Sequence, residues 1–264
     1  MDPTWLQTAG LLLLGIFAGG VGALTGIGGG LVVTPVLTLF LGVPIRYAIA
    51  TSLCCVIATS SGAAARYVEQ RLTDVRLGMT LELATTVGAV CGAILAGVVS
   101  REVLAALFAF LLIYGGSSML RQTLKPRVAM PSDPDSYRVT HLPLGLVGAG
   151  GAGIISGLLG VGGGIIKVPL MYLVMGVPFK VATATSNFMV GVTAAASAFI
   201  YYSRGDMLPL IVAPTAIGVF VGASVGTHIF RRAKSRGLEI LFSGITFYFA
   251  AMMLWKVLHG GLGR

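Results

Sequence analysis

Long apolar runs dominate the chain, and short polar stretches separate them. Ten runs can be drawn, at about residues 5–27, 31–44, 46–68, 77–99, 103–121, 142–160, 165–177, 179–202, 207–229 and 238–258. Most approach the roughly 20 residues that a helix needs to cross a bilayer. The alternation of polar and apolar residues that is typical of a membrane β-barrel is missing from the sequence. The pattern therefore predicts an all-α, polytopic membrane helical bundle.

The second run of each half, residues 31–44 and 165–177, is unusually short. At about 1.5 Å per residue it barely reaches across a bilayer about 30 Å thick, so it is either a thin crossing or a re-entrant arm. If the short runs cross, the chain makes ten passes, and twelve Lys and Arg residues lie on one side of the membrane and five on the other. If they are re-entrant, the chain makes eight passes and the division is ten to seven. Lys167 is left out of both counts. The positive-inside rule favours ten passes, both termini outside and the central linker in the cytoplasm.

The chain contains a tandem repeat with a spacing of 134 residues. Residues 22–52 and 156–186 align without a gap and are identical at 14 of 31 positions. Both copies carry a glycine run, then Pro, Gly-Val-Pro and Ala-x-Ala-Thr-Ser. We therefore expect two transmembrane repeats, residues 1–122 and 141–264, joined by a polar cytoplasmic linker at residues 123–140.

Five passes per repeat would insert the second repeat upside down relative to the first. Inverted-topology repeats are a feature of secondary transporters, which hold substrate near the bilayer midplane where the repeats meet. Short or broken helices are expected after the glycine runs, because glycine interrupts helices.

Composition supports the membrane assignment and narrows the chemistry. Mean hydropathy is +0.92 and 10% of residues are charged, against about 25% in soluble domains. The net charge of +9 fits the loop bias of a membrane protein better than nucleic-acid binding, since no basic cluster is interleaved with aromatics. Cys54, Cys55 and Cys91 lie in apolar runs without metal-ligand spacing, so no metal or other cofactor is predicted.

The two glycine runs are the strongest candidates for a substrate site. A glycine run before a helix can present backbone N–H groups to an anion, helped by the helix dipole. Irregular backbone at membrane depth is tolerated only where it is buried in protein or lines a cavity. The alternative is tight helix packing. The predicted substrate-binding glycines are Gly28, Gly29, Gly30, Gly162, Gly163 and Gly164.

Hydroxyl and amide groups follow each glycine run at matching positions. Thr51 and Ser52 occur in the first repeat, and Thr185, Ser186 and Asn187 in the second. Such hydroxyls either bond the carbonyl four residues earlier or line a polar chamber. Their recurrence after Ala-x-Ala favours a chamber for a small oxyanion.

Two ionisable residues fall inside predicted spans. Lys167 stands where the first repeat has Val33, and it would either attract the anion or extend to the nearby interface. Glu82 is a candidate for carrying a coupling proton; the alternative is a structural pair with a cytoplasmic-side arginine such as Arg66.

No enzyme is predicted. The HExxH and Walker motifs are absent from the sequence. Gly222–Gly226 matches GxSxG and Gly148–Gly153 matches GxGxxG, but both lie in apolar spans rather than in the strand–turn–helix setting that these motifs need.

The paired glycine, Gly-Val-Pro and Ala-Thr-Ser motifs resemble the TauE/SafE family of membrane anion transporters, the sulfite-exporter family. The resemblance covers nearly the whole chain except the linker. It implies a bacterial plasma-membrane protein whose substrate is sulfite, a sulfonate or a similar anion.

The function expected is therefore secondary export of a small sulfur-containing anion by alternating access. Uptake of organic sulfonates or another small anion, an anion channel and a non-transport assembly subunit remain alternatives. The expected partners are the anion and the lipid bilayer, with no nucleic acid. The sequence leaves substrate, direction, coupling ion and oligomeric state open.

Overall fold

A computed structural model describes residues 5–26, 28–124, 137–229 and 235–259, and these form ten α-helices without a strand. Most of the predicted linker therefore lies outside the described residues. The helices are α1 Trp5–Thr25, α2 Gly30–Phe40, α3 Ile45–Glu69, α4 Val75–Val98, α5 Arg101–Leu124, α6 Leu142–Leu159, α7 Gly164–Pro169, α8 Phe179–Ser203, α9 Pro209–Ile229 and α10 Ser235–Leu258. A π-helical turn, Leu170–Val174, continues α7 after Pro169. The predicted all-α class is confirmed.

Seven of the described helices are long and apolar enough to cross a membrane by length and composition. The short element of each half, α2 or α7 with its π-helical turn, is 11 residues long. At 1.5 Å per residue each spans about 16 Å, half the hydrocarbon thickness. The broken helices predicted after the glycine runs are therefore present.

The contacts of α2 show its level relative to α3, and whether it crosses completely stays a prediction from the charges. The amide of Gly29, at the start of α2, donates to Thr59 Oγ1 at 3.3 Å. Thr59 lies beyond the midpoint of α3, whereas the end of α2 is only four residues from the start of α3. Thus α2 runs beside the first part of α3 only.

The repeated Gly-Val-Pro motif ends each short helix and begins the long one after it. Gly42 and Gly176 adopt φ values of 63° and 71°, the left-handed conformation that ends a helix at little cost in glycine. The next amide bonds back to the short helix: Val43 N to Leu37 O at 3.0 Å, and Val177 N to Met171 O at 2.9 Å. Pro then precedes α3 and α8, where a missing N–H costs no hydrogen bond.

Helix packing repeats between the halves with partners exchanged. Helix α1 packs on α9, and α6, the counterpart of α1, packs on α4, the counterpart of α9. The centre is formed by α3 against α8, and α5 packs against α10. An exchange of equivalent partners is what an approximate two-fold relation between the halves would generate.

Glycine lets these exchanged pairs approach closely. A Cβ at Gly19 would overlap the carbonyl oxygen of Val219 in α9, and a Cβ at Gly153 would overlap that of Thr85 in α4. Gly19 and Gly153 are equivalent positions in the repeat. Since lipid supplies no hydrophobic drive for helix association, such close contact contributes directly to the stability of the bundle.

We predict that Gly153→Ala destabilises the protein by about 1–3 kcal/mol, because the added methyl must push α6 away from α4. Gly151→Ala is the matched control: it lies in the same helix with no atom within 4 Å of an added Cβ. Thermal unfolding in detergent measures the difference. Equal melting temperatures for the two variants would contradict close packing at Gly153.

Candidate functional site

The two glycine turns meet in the protein interior. A Cβ at Gly30 would lie 2.7 Å from the carbonyl oxygen of Gly160, so the backbones of the two turns are in contact. Val56, near the middle of α3, packs against both turns, at Gly28 and at Gly162. The two glycine turns are therefore adjacent in the structure.

The serines that follow the turns bind the turn of the opposite repeat. Ser52 Oγ donates to the carbonyl of Gly160 at 2.6 Å, and Ser186 Oγ donates to the carbonyl of Gly26 at 2.8 Å. Both donors and both acceptors are equivalent pairs in the 134-residue repeat. We call these two bonds the crossed serine bonds; they satisfy carbonyls that lipid cannot satisfy.

The backbone of the turns depends on glycine. Gly26 and Gly160, which accept the crossed serine bonds, both have φ of 71°. A Cβ at Gly26 would crowd Thr183, and one at Gly160 would crowd Ile49, again equivalent residues. Close backbone approach and positive φ thus explain why the motif recurs.

The neighbouring polar residues have separate roles. Thr51 Oγ1 bonds its own helix at Tyr47 O, 2.9 Å away, which is the local alternative expected for such hydroxyls. Thr185 Oγ1 accepts from the amide of Asp74 at 3.0 Å. Asn187 Nδ2 donates to Ala23 O at 3.0 Å, whereas its buried Oδ1 has no hydrogen-bond partner. Asn187 thus retains an acceptor in the interior, and an acceptor would not bind an anion.

Lys167 is buried and forms a polar cluster with Thr193 and Glu82. Its Nζ lies 2.7 Å from Thr193 Oγ1 and 3.4 Å from Glu82 Oε2, and only 1% of the lysine is exposed. Thr193 Oγ1 in turn donates to Glu82 Oε1 at 2.5 Å. We call these three residues the charged cluster.

This arrangement resolves two alternatives that the sequence left open. Lys167 does not extend to an interface, because its ammonium is buried against α4 and α8. The Glu82 carboxylate pairs with Lys167. The structural partner suggested from the sequence was an arginine such as Arg66, and this choice of partner was wrong. Either charge would be costly to bury alone, and the pairing offsets part of that cost.

The charged cluster adjoins the second glycine turn. The Lys167 amide donates to Gly163 O at 2.9 Å, and a Cβ at Gly163 would lie 3.3 Å from both Lys167 Cε and Ser156 Cβ. Ser156 Oγ is buried without a hydrogen-bond partner. The Ser156 side chain, near the end of α6, and the Lys167 stem therefore both lie against the second glycine turn.

The first repeat has no such charge at the equivalent place. Val33 replaces Lys167 and is fully buried, and Thr59, the counterpart of Thr193, binds the Gly29 amide and Cys55 O. The two turns thus share a backbone design but differ in electrostatics.

Sequence reasoning missed Thr193, Ser156 and Ser60. Ser60 Oγ donates to the Asn187 carbonyl at 2.6 Å and contacts Gly191. Extending the repeat alignment by seven residues past Ser186 would have paired Thr59 with Thr193 and marked both as candidates.

The part of the linker that is described reaches the same region. Tyr137 Oη donates to Asp74 Oδ2 at 2.7 Å, and the Asp74 amide donates to Thr185. Burial raises the pKa of the Tyr137 phenol, and the Asp74 carboxylate raises it further. Tyr137 therefore remains a neutral donor at physiological pH.

The remaining residues and motifs singled out in the sequence take part in helix ends or helix packing. Arg46 donates to Gly97 O and Val99 O at the end of α4. Gly222, in α9, packs against Ile16 of α1. The GxGxxG match at residues 148–153 lies within α6. Among the described residues, no group of three His, Cys, Asp or Glu side chains could hold a metal ion.

Comparison with known proteins identifies the family. A family model described as Sulfite exporter TauE/SafE matches residues 11–253. The chain belongs to this family. No solved structure matches this TauE/SafE chain.

Two curated relatives match this chain over most of its length, and a third matches a shorter part of it. The probable membrane transporter protein YunE of Bacillus subtilis is 25% identical, with 93% of this chain and 97% of that protein covered. The probable membrane transporter protein MJ0441 of Methanocaldococcus jannaschii is 25% identical, with 92% and 94% covered. The Sulfite exporter TauE/SafE family protein 3 of Arabidopsis thaliana is 42% identical over 95 residues, 34% of this chain and 20% of that protein. This chain is accordingly a polytopic membrane transporter protein of the TauE/SafE family.

We predict that Ser52→Ala and Ser186→Ala each destabilise the protein by about 1–3 kcal/mol, because each leaves a buried glycine carbonyl without its donor. Ser61→Ala is the matched control on α3, since the exposed Ser61 hydroxyl bonds only its own helix at Ile57 O. Thermal unfolding in detergent provides the comparison. A loss of stability in Ser61→Ala as large as in the other two variants would contradict a specific contribution of the crossed serine bonds.

Proposed function

We propose that this chain is a secondary transporter that exports sulfite or a related small sulfur-containing anion by alternating access. The observation that carries the proposal is the contact of two equivalent glycine turns beside the buried ammonium of Lys167. Glycine amides, the Ser52 and Ser186 hydroxyls and this ammonium form a set of hydrogen-bond donors suited to a small oxyanion. The site predicted from the sequence comprises Gly28–Gly30, Thr51, Ser52, Gly162–Gly164, Lys167 and Thr185–Asn187. Of these, Thr51, Thr185 and Asn187 lie outside the donor set proposed here.

The crossed serine bonds supply an element that can exist in two arrangements. Rocking of one repeat against the other separates one serine from the opposite turn and frees a hydroxyl for the anion, while the equivalent bond on the other side holds. An approximate two-fold relation makes the two openings similar in energy, which alternating access requires. Inverted repeats, termini outside and a bacterial plasma-membrane location belong to this proposal.

Counterflow in proteoliposomes separates the proposal from the alternatives. A transporter exchanges labelled for unlabelled sulfite with saturable kinetics, whereas an anion channel gives large conductance without counterflow. A non-transport subunit gives neither. Orientation-controlled flux, driven from each side in turn, distinguishes export from uptake of the anion.

We predict that Lys167→Met raises the half-saturating sulfite concentration about tenfold or more, because a charge-assisted hydrogen bond to the anion is lost. Lys180→Met, which removes an exposed lysine at the start of α8, should retain the wild-type value. The double variant Lys167→Met/Glu82→Gln removes both buried charges and separates loss of binding from loss of fold. Unchanged affinity in folded Lys167→Met protein would remove Lys167 from the site.

A further inference from the structure

We infer that Glu82 takes up a proton when an anion binds Lys167, so that one proton and one monovalent anion move together, with Thr193 as the residue that positions Glu82. This inference rests on the proposed function for the presence of the anion. It adds the coupling ion, the stoichiometry and a role for Thr193.

The geometry of the charged cluster indicates a replaceable ion pair. The Lys167 ammonium lies 2.7 Å from Thr193 Oγ1 but 3.4 Å from Glu82 Oε2, whereas charge-assisted N–H···O bonds are usually about 2.7–2.9 Å. The direct contact between the two charges is therefore long, and the threonine hydroxyl connects them. An oxyanion can take the place of the carboxylate on Lys167 without displacing Thr193.

Charge balance requires the proton. In the structure one buried cation faces one buried anion. A bound monoanion beside an ionised Glu82 would place two negative charges on a single ammonium, which is unfavourable at low local dielectric. A proton from the aqueous phase, added to a Glu82 oxygen to form the carboxylic acid, restores the net charge that the cluster had before.

Thr193 suits a carboxyl group that changes protonation state. Its hydroxyl donates to the Glu82 carboxylate at 2.5 Å, and the same oxygen can accept a hydrogen bond from the carboxylic acid. Thr193 is anchored because α8 holds its backbone. The carboxyl group can thus gain or lose a proton while it stays beside the lysine.

No other charged group near Glu82 can balance the anion among the described residues of the elements packed on it. Helix α6 carries no titratable side chain. Helix α8 carries Lys180, about 20 Å along the helix from Thr193, and Tyr201 and Tyr202, about 12 Å away in the other direction. Tyr172 lies in the π-helical turn, and α4 itself has Arg76 and Cys91 at more than one helical turn from Glu82. Among the residues that the structure describes, Lys167 is the one cation within 4 Å of the Glu82 carboxylate.

Coupled movement makes the transport electroneutral. The direction of net flux then depends on both the anion gradient and the proton gradient. Acid outside favours uptake of the anion, and export proceeds when the outward anion gradient exceeds the opposing proton gradient. Each pH unit balances about a tenfold anion gradient.

The test uses the whole protein in proteoliposomes. Counterflow of labelled sulfite and of labelled methanesulfonate is measured first. Methanesulfonate is preferred for the coupling assay because a sulfonate remains ionised and brings no proton of its own. A one-unit pH difference, alkaline inside, is then imposed at equal anion concentrations, with the membrane potential clamped at zero.

Wild-type protein should accumulate the anion toward about tenfold. Glu82→Gln, which mimics the protonated carboxyl group, should still exchange anion but should not concentrate it. The control Glu69→Gln, at the exposed end of α3, should concentrate it like wild type. Thr193→Val should lower pH-driven accumulation relative to exchange and shift its pH profile, and Thr193→Ser should restore both.

The outcomes distinguish the two proposals. Exchange without pH-driven accumulation by wild type, or full accumulation by Glu82→Gln, overturns the proton coupling and leaves the transport function standing. Absence of counterflow with both anions overturns the proposed function itself. If Glu82→Gln does not fold, the comparison of Thr193→Val with Thr193→Ser decides, because neither variant changes a charge.

Discussion

A polar backbone group inside a bilayer must find its partner within the protein, and this constraint shapes the centre of the molecule. Two helices are broken by glycine turns, which leaves carbonyl and amide groups outside any helical ladder. The chain satisfies two of these carbonyls by the crossed serine bonds, Ser52 to Gly160 and Ser186 to Gly26. Each turn is thus completed by the opposite repeat, and neither half alone would satisfy its own turn.

The same exchange extends outward from the turns. Helix α1 packs on α9, and α6 packs on α4, with Gly19 and Gly153 at the points of close contact. Interleaving of this kind keeps the two halves of the chain together.

Symmetry in the backbone is combined with asymmetry in charge. Lys167 and Glu82 lie on one side of the paired turns, and Val33 occupies the corresponding place on the other. The glycine turns have a similar backbone in both repeats, whereas the buried ion pair is present on one side only. This division explains how a duplicated fold can acquire a polar function at one site only.

Much of this architecture could be predicted from the sequence, because it depends on local rules. Gly-Val-Pro ends one helix and starts another by φ preference and a missing N–H, and the repeat shows that both turns use it. The partners of Ser52 and Glu82 could not be predicted. Thr51 takes the local bond to Tyr47 while the adjacent Ser52, rotated by about 100° on α3, bonds across the repeats. Glu82 and Lys167 are 85 positions apart. Glu82 lies outside the aligned segments of the repeat and Lys167 has no charged counterpart in the first repeat, so no spacing rule connects them.

An experimental structure of the protein in lipid nanodiscs with sulfite present is the most direct measurement of the central claim. We predict that the anion lies between the two glycine turns within hydrogen-bond distance of the Lys167 ammonium, and that at least one crossed serine bond is kept. Turns separated by lipid, or an anion bound elsewhere while the turns remain in contact, would contradict the account.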